Sequence, residues 1–376
     1  MRIVFLIPYV PIPRMIKRIN TAHSVDNTSV IFWDRGTDDA QNIKLPLDVR
    51  VHHVFEKANE GQPLKRLGST FRFCKKAFSS LKKENPTCIH VTKTDMLLLV
   101  WLYCLTKKKR PFVIYEVSDI HGMALNSSNS LPKILIKKIL YVVERIGMTV
   151  VDKMIVTSLS FWKTYYKKMI PIESVLFLPN TPPESVFDGY KAKESGRFRI
   201  GFIGKVRYRE QLKLLVDAAG QADIDVLIAG NGIDLHEITE YCKGKTYVTI
   251  HGAYNYKDEI AELYSSIDCV FSVYDTSIQN VRVALPNRLY EAAKCGLPLI
   301  VSKGTELGTI VDENGLGIVI QDNSVNELTN AMLKLKDISY RETFKDNCET
   351  YYQNYRYEVT NEKLNNIYLD VMKKSE

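Results

Sequence analysis

Two doubly wound α/β domains in tandem are the fold class the sequence predicts, and three observations predict it. Short runs rich in Val, Ile and Phe alternate with stretches of helical periodicity along the chain. The alternation pauses at a polar segment, Thr181 to Gly196, and then restarts. A length of 376 residues also exceeds what one compact domain usually holds.

The first series is RIVFLI (2–7), CIHV (88–91), FVIYEV (112–117), KMIVTS (153–158) and SVLFLP (174–179). Continuous apolar runs of this kind suit parallel strands covered on both faces, and several gaps are long enough for crossover helices. The second series is FRIGFIG (198–204), DVLIAG (225–230), YVTIHG (247–252), CVFSVY (269–274) and LPLIVS (297–302). Pro182, Pro183 and Gly189 mark the join. The domains are therefore set at residues 1–185 and 198–350, with a linker at 186–197. In residues 351–376, Val359, Leu364, Ile367, Tyr368 and Val371 fall near helical spacing. The chain is expected to end in a helix that crosses back to the first domain, packing on its own domain being the other arrangement.

Composition narrows the function. The hydrophobic fraction is 45% and the charged fraction 25%, which excludes a mainly disordered chain, a collagen-like repeat and a disulfide scaffold. Seven scattered Cys, with no C-x-x-C and no Cys/His pairing, read as reduced core thiols of a cytoplasmic protein; no zinc site is expected. No apolar run approaches the length of a bilayer span, and no signal-peptide pattern is visible.

Charge is unevenly spread. Residues 1–195 hold 30 Lys+Arg against 17 Asp+Glu (+13), and residues 196–376 hold 21 against 26 (−5). A basic first half implies an anionic partner. Leu64, Leu67, Phe71, Cys74, Phe78 and Leu81 recur at helical spacing, with Lys65, Arg66, Arg72, Lys75, Lys76, Lys82 and Lys83 between them. This predicts a basic amphipathic helix whose apolar stripe packs on the sheet, or lies in an anionic membrane interface. The run Lys107 to Arg110, with Lys133, Lys137 and Lys138, adds to the same half. Nucleic acid is not expected as a partner, because no compact binding motif or aromatic–basic platform is present.

Parallel sheets bind ligands at the carboxyl ends of their strands. Gly204 directly follows a strand, and Lys205, Arg207 and Arg209 then alternate along the loop; a close backbone approach with three cations suits a diphosphate, a solvated basic turn being the alternative. Farther on stand Tyr274, Asp275, Asn280 and the run Pro286-Asn287-Arg288-Leu289-Tyr290-Glu291. Arg288 and Glu291 are three apart, so they share a helix face near its N-terminal end, where phosphate is attracted and ribose hydroxyls could be bound. In the first half, Asp119 follows FVIYEV and would act as a catalytic or acceptor-orienting carboxylate, with His121 as its rival, or simply cap a turn.

These pieces resemble the GT-B glycosyltransferases, in particular the retaining family four (group 1) and a branch of bacterial surface-polysaccharide assembly. The resemblance rests on the strand–Gly–basic loop, the A-G-x-G turn at Ala229 to Gly232, Leu263 to Tyr274, and above all E-A-x-x-x-G-x-P-x-I from Glu291 to Ile300, with Asn280 and Pro286-Asn287-Arg288 before it. It implies two Rossmann-like domains facing across a cleft. A nucleotide-sugar would lie on the second domain and a glycan or polyprenyl-diphosphate-linked acceptor on the first. Transfer would need neither metal nor another cofactor. By the same resemblance Lys205, Arg207 or Arg209 would neutralise the leaving diphosphate and Glu291 would hold the ribose. Arg14, in a loop after the first strand that has no Gly for close donor approach, is expected to contact the acceptor. Such an enzyme would sit in the cytoplasm, peripherally on the inner face of the cell membrane.

Two departures from the family pattern stand out. Val283 occupies the place of the first acid of Glu-x7-Glu, with Asp275 or Asn280 as replacement, and the loop Pro8 to Arg14 has no Gly. A nucleotide-sugar epimerase of the same fold, or a degenerate subunit that binds a partner or membrane, is the alternative reading.

Overall fold

The structure is a computed structural model and describes residues 2–36, 43–58, 66–120, 131–193 and 196–373. The chain divides into two units, Met1–Leu178 with Asn361–Glu376, and Pro179–Thr360.

The first unit holds seven strands: β1 (Ile3–Ile7), β2 (Thr28–Asp34), β3 (Arg50–Phe55), β4 (Cys88–Thr92), β5 (Phe112–Val117), β6 (Lys153–Val156) and β7 (Val175–Phe177). All neighbours pair in parallel, in the order β3-β2-β1-β4-β5-β6-β7. Every residue of β1 is buried, as its uninterrupted IVFLI requires for a central strand covered on both faces. Pro13 opens the helix Pro13–His23, where its missing N–H costs nothing. Ile3, Phe5, Met15 and Ile19 form a core that also takes in Leu364, Tyr368 and Val371 from the helix Tyr357–Lys373. The end of the chain thus completes the first unit.

The second unit holds β8 (Arg199–Ile203), β9 (Asp225–Ala229), β10 (Val248–Gly252), β11 (Cys269–Ser272), β12 (Leu299–Ser302) and β13 (Gly317–Ile320). They too are all parallel, in the order β10-β9-β8-β11-β12-β13. Alternate residues feed two cores: Ile200 and Phe202 of β8 join Leu215 and Met332 on one face, and Ile203 joins Leu263 and Leu289 on the other.

Several differences from the sequence reading have local causes. Strands β2, β3 and β13 were not expected; β3 is an edge strand with mostly exposed residues, and β13 is a four-residue strand. The polar stretch expected as a linker packs on the second unit, with Phe187 in a core and the Tyr190 hydroxyl donating to the Cys295 carbonyl (2.7 Å). The terminal segment is two helices, Lys345–Tyr355 and Tyr357–Lys373, with Arg356 extended between them.

The basic helix forms over Leu67–Glu84, but with a different buried stripe. Ser69, Phe73, Ala77 and Leu81 face inward, while Leu67 (64% exposed) and Phe71 (73%) stand in solvent. Phe73 stacks on Trp33 at 5.0 Å, and that contact sets the rotation. Leu64 and Lys65 lie outside the described residues. All seven cysteines are free. Among the described residues no helix is long and apolar enough to cross a membrane.

Candidate active site

In the second sheet the strand order reverses between β8 and β11, and their carboxyl ends open the crevice where such sheets take ligands. Gly204 follows β8 with φ +139°, and a Cβ there would lie 2.9 Å from Nη2 of Arg288. Gly230, after β9, has φ +142°, and its Cβ would fall 1.7 Å from the Gly204 carbonyl oxygen. The Gly204 amide donates to Ala229 (2.9 Å) and the Val206 amide to Asn231 (2.9 Å). The two loops therefore interlock, and only glycine fits at the crossing.

Arg288 is buried beside this crossing. Its guanidinium lies 3.9 Å over the Phe202 ring and 5.5 Å from the Tyr274 ring centroid, and it donates to the Phe271 carbonyl (3.3 Å). Among the described residues it forms no ion pair. Rings and a carbonyl hold the charge without neutralising it.

The three loop cations differ in kind. Lys205 and Arg207 are exposed, and Arg207 lies 5.1 Å over the ring of Tyr208. Arg209 donates to Glu210 (2.9 Å) and Glu237 (2.6 Å), so its charge is already met. Tyr208 holds a left-handed backbone (φ +67°, ψ +56°), a conformation that costs a non-glycine residue about 1–2 kcal/mol. Its ring meets Tyr274 edge-on at 5.3 Å. Tyr208, Arg209, Asp275, Arg282 and Asp322 border a cavity of about 610 Å³.

The Tyr274 amide donates to Ser302 (2.7 Å), whose hydroxyl donates back to the Tyr274 carbonyl (2.9 Å). Asp275 accepts from the Ser277 amide (2.9 Å), and Asp322 accepts from the amide and hydroxyl of Thr276 (2.7 and 2.9 Å). Asn280 is half-buried on the helix Gln279–Val283, whose last residue, Val283, is buried. Asn287 is exposed and accepts from Asn180 (2.9 Å).

Glu291 sits in the second turn of Asn287–Lys294, only 4% exposed. Its Oε1 accepts from the Tyr256 hydroxyl (2.7 Å) and its Oε2 from Tyr264 (2.8 Å). Burial and the Glu291 charge push both phenols upward; Tyr254, raised chiefly by burial and then by Glu291, is pushed up to about 12.

In the first sheet the order reverses between β1 and β4. Arg14, near the start of its helix, donates to the Ser118 hydroxyl (2.9 Å) and lies 3.3 Å from Glu116. Glu116 is buried at the end of β5 and is also approached by Arg18 (3.5 Å) and by Nε2 of His90 (3.0 Å), whose Nδ1 meets the Tyr368 hydroxyl (2.8 Å). Burial alone would raise the Glu116 carboxyl, but Arg18, then His90 and Arg14, hold it well below the carboxylate range. Burial lowers His90 and keeps its ring neutral.

Asp119 is exposed just past β5, and His121 lies outside the described residues. Lys93, one residue past β4, is half-buried with φ +70° and ψ +146°, a region held almost only by glycine and costing about 1–3 kcal/mol. Burial lowers its ammonium from the ordinary value; Asp119 and Asp95 oppose that, and Arg14 and Arg35 add to it.

Gly204, Lys205, Arg207, Arg209, Tyr274, Asp275, Asn280, Asn287, Arg288 and Glu291 thus gather around the carboxyl side of the second sheet, and Arg14 and Asp119 around that of the first. Tyr256, Tyr264, Tyr208, Glu116 and Lys93 escaped the sequence reading. Only Glu116 left a signal: an acid inside the strand FVIYEV must be buried and therefore paired. Among the described residues no group of three or more His, Cys, Asp or Glu is placed to hold a metal ion.

Comparison with known proteins agrees with this geometry. Residues 197–337 match the model of the glycosyl transferases group 1. The chain is 23% identical to the succinoglycan biosynthesis protein ExoL of Rhizobium meliloti (strain 1021), covering 73% of this chain and 70% of that protein. Its fold is similar to sucrose-phosphate synthase from Thermosynechococcus elongatus, with a TM-score of 0.78 at 16% identity and all of both chains covered. It is also similar to Anabaena HepE, solved in complex with UDP, with a TM-score of 0.72 at 14% identity over 97% of this chain and 98% of that one.

Proposed function

The chain is a glycosyltransferase of GT-B fold, and from that premise we propose that it moves a sugar from a nucleotide-sugar to a lipid-linked saccharide during surface-polysaccharide assembly. The observation that carries this reading is the un-neutralised Arg288 guanidinium beside Gly204, at the switch point of the second sheet. A nucleoside diphosphate laid across Gly204 would meet Arg288 from within and Lys205 from the loop. Charge grows on that diphosphate as the glycosidic bond breaks, so cations fixed beforehand stabilise the transition state more than the ground state. Glu291 would take the ribose, exchanging a phenol for a sugar hydroxyl. Asp119, exposed past β5, would orient the acceptor hydroxyl. The transfer is read as retaining and metal-independent, the cations doing the work of a metal. The HepE complex makes UDP the first nucleotide to try, and the ExoL likeness supports a polysaccharide product.

The inner face of the membrane is the proposed place of work. Lys75, Lys76, Lys82 and Lys83 are exposed on the basic helix, next to the solvent-facing Leu67 and Phe71. The helix Leu131–Met148 adds exposed Leu135, Ile139 and Val142 beside Lys138. Apolar side chains among cations match an anionic bilayer surface.

Turnover with a panel of nucleotide-sugars tests the reading. Transfer to a polyprenyl-diphosphate-linked glycan that survives EDTA supports it. Donor isomerisation without transfer, or EDTA loss restored by magnesium or manganese, refutes the corresponding part. Co-sedimentation tests the membrane: pelleting should rise with anionic lipid and fall with salt, and equal pelleting with neutral vesicles sinks the electrostatic account.

A further inference from the structure

Cations of the first unit also converge at the carboxyl rim of its own sheet. β2, β1, β4 and β5 are consecutive neighbours there, and β4 pairs with β5 up to Thr92 and Glu116. Arg35 directly follows β2, Lys93 directly follows β4 and Ser118 directly follows β5. Arg35 is anchored across β1, its Nη2 donating to the Pro8 carbonyl (2.7 Å) with its guanidinium 4.6 Å over Trp33. Arg14 is anchored on Ser118 and Glu116. Parallel strands stand about 4.8 Å apart, so four rims span roughly 15 Å. Lys93 and the two arginines therefore share one short arc, at the reversal of strand order where such sheets take ligands.

We propose that Lys93, with Arg14 and Arg35, forms a phosphoryl subsite on the first unit that takes the diphosphate of the acceptor. The inference rests on the lipid-linked acceptor proposed above. Lys93 is the specific element: its side chain is half-buried at the end of β4, and its ammonium feels Arg14 and Arg35 as well as the carboxylates of Asp119 and Asp95. Glycine would suit the backbone better than lysine at φ +70°, so the side chain stands there against the local preference. A diphosphate is the anion of matching reach, because its two phosphoryl groups can meet cations on adjacent strand ends at once.

The test is calorimetric titration of the full chain with farnesyl diphosphate, with farnesol and, separately, with UDP. The parent should bind farnesyl diphosphate and not farnesol. Lys93→Ala and Lys93→Gly should weaken farnesyl diphosphate at least tenfold and Lys93→Arg less, with UDP affinity within twofold throughout. Lys93→Gly relieves the backbone, so its fold is secure. Unchanged affinity in Lys93→Gly, equal binding of farnesol, or no binding by the parent overturns the subsite. A parallel loss of UDP affinity assigns Lys93 to the donor and also overturns it. Turnover on a lipid-free glycan, with no farnesyl diphosphate binding, refutes subsite and lipid acceptor together. Turnover that requires a polyprenyl diphosphate yet ignores Lys93→Gly refutes the subsite alone.

Discussion

At the switch point of the first sheet the buried charge is Glu116, ringed by Arg14, Arg18 and His90; at that of the second it is Arg288, ringed by Phe202, Tyr274 and the Phe271 carbonyl. Strand order is shared and the electrostatic solution is opposite. Glu116 is compensated within the protein, so its charge serves the fold. Arg288 is solvated by partners that leave its charge in place, so it can still attract an anion. A buried charge thus reports function through what fails to neutralise it.

The largest test of this contrast is Glu116→Gln. Removing one member of a buried ion cluster breaks its pairs with Arg14 and Arg18 and should cost about 3–5 kcal/mol, read as a fall in the urea midpoint. The same cluster should make the fold acid-labile. Glu116 is depressed in the folded state, so its contribution is complete above the unfolded value of 4.5 and is lost as pH falls below it. His90 is held neutral, so the unfolded chain gains a proton more readily below 6.5 and stability declines from there too. Melting temperature should therefore drop below about pH 6.5 and further below pH 4.5, and Glu116→Gln should flatten the part below 4.5. An acid profile unaltered by Glu116→Gln would remove Glu116 from the account.

Arg288→Ala should behave in the reverse sense. Loss of a charge-assisted contact predicts about 1.5–3 kcal/mol in UDP binding, roughly 10–150-fold in Kd, with the fold kept. Equal UDP affinity in parent and variant would make Arg288 a second structural charge. Tyr264→Phe removes a buried donor to Glu291 and should cost about 1–3 kcal/mol of stability. Tyr256→Phe, at a position 37% exposed, should cost less, and it removes a phenol that competes with ribose for the Glu291 carboxylate, so UDP affinity should hold or rise. The smallest effect belongs to Lys75, Lys76, Lys82 and Lys83: all four changed to Gln should move stability by no more than about 0.5 kcal/mol each while weakening vesicle binding.

Both sheets were legible because most of their inner strands are covered on both faces and read as continuous apolar runs; the inner strand β2, whose TSVIFWD opens and closes on polar residues, was not. The edge strand β3 was not, since its alternation is broken by Arg50, His52 and His53. The basic helix was legible as an element but not in its rotation. Phe71 and Phe73 are equally apolar, and only the Trp33 ring, brought up by an unread strand, chooses between them. The donor side followed from chain-local signals such as Gly204 after a strand and Arg288 three residues before Glu291. Tyr256 and Tyr264 carry no such mark, because a phenol meets its carboxylate only once the helices pack. Val283 was visible as a departure, and its burial shows the position to be an apolar contact.

One further consequence follows from the path of the chain. Pro179–Thr360 is inserted into the first unit, whose core waits for Leu364, Tyr368 and Val371. On the ribosome the inserted unit takes roughly 10–40 s to synthesise at about 5–20 residues per second. During that interval His90 lacks Tyr368, and the core that Met15 and Ile19 begin on one side of the first sheet stays incomplete. The inserted unit can close first, and the amino-terminal part is finished last by the newest residues. Truncation before Leu364 should therefore leave the earlier-made half exposed to proteases while the later-made half resists them.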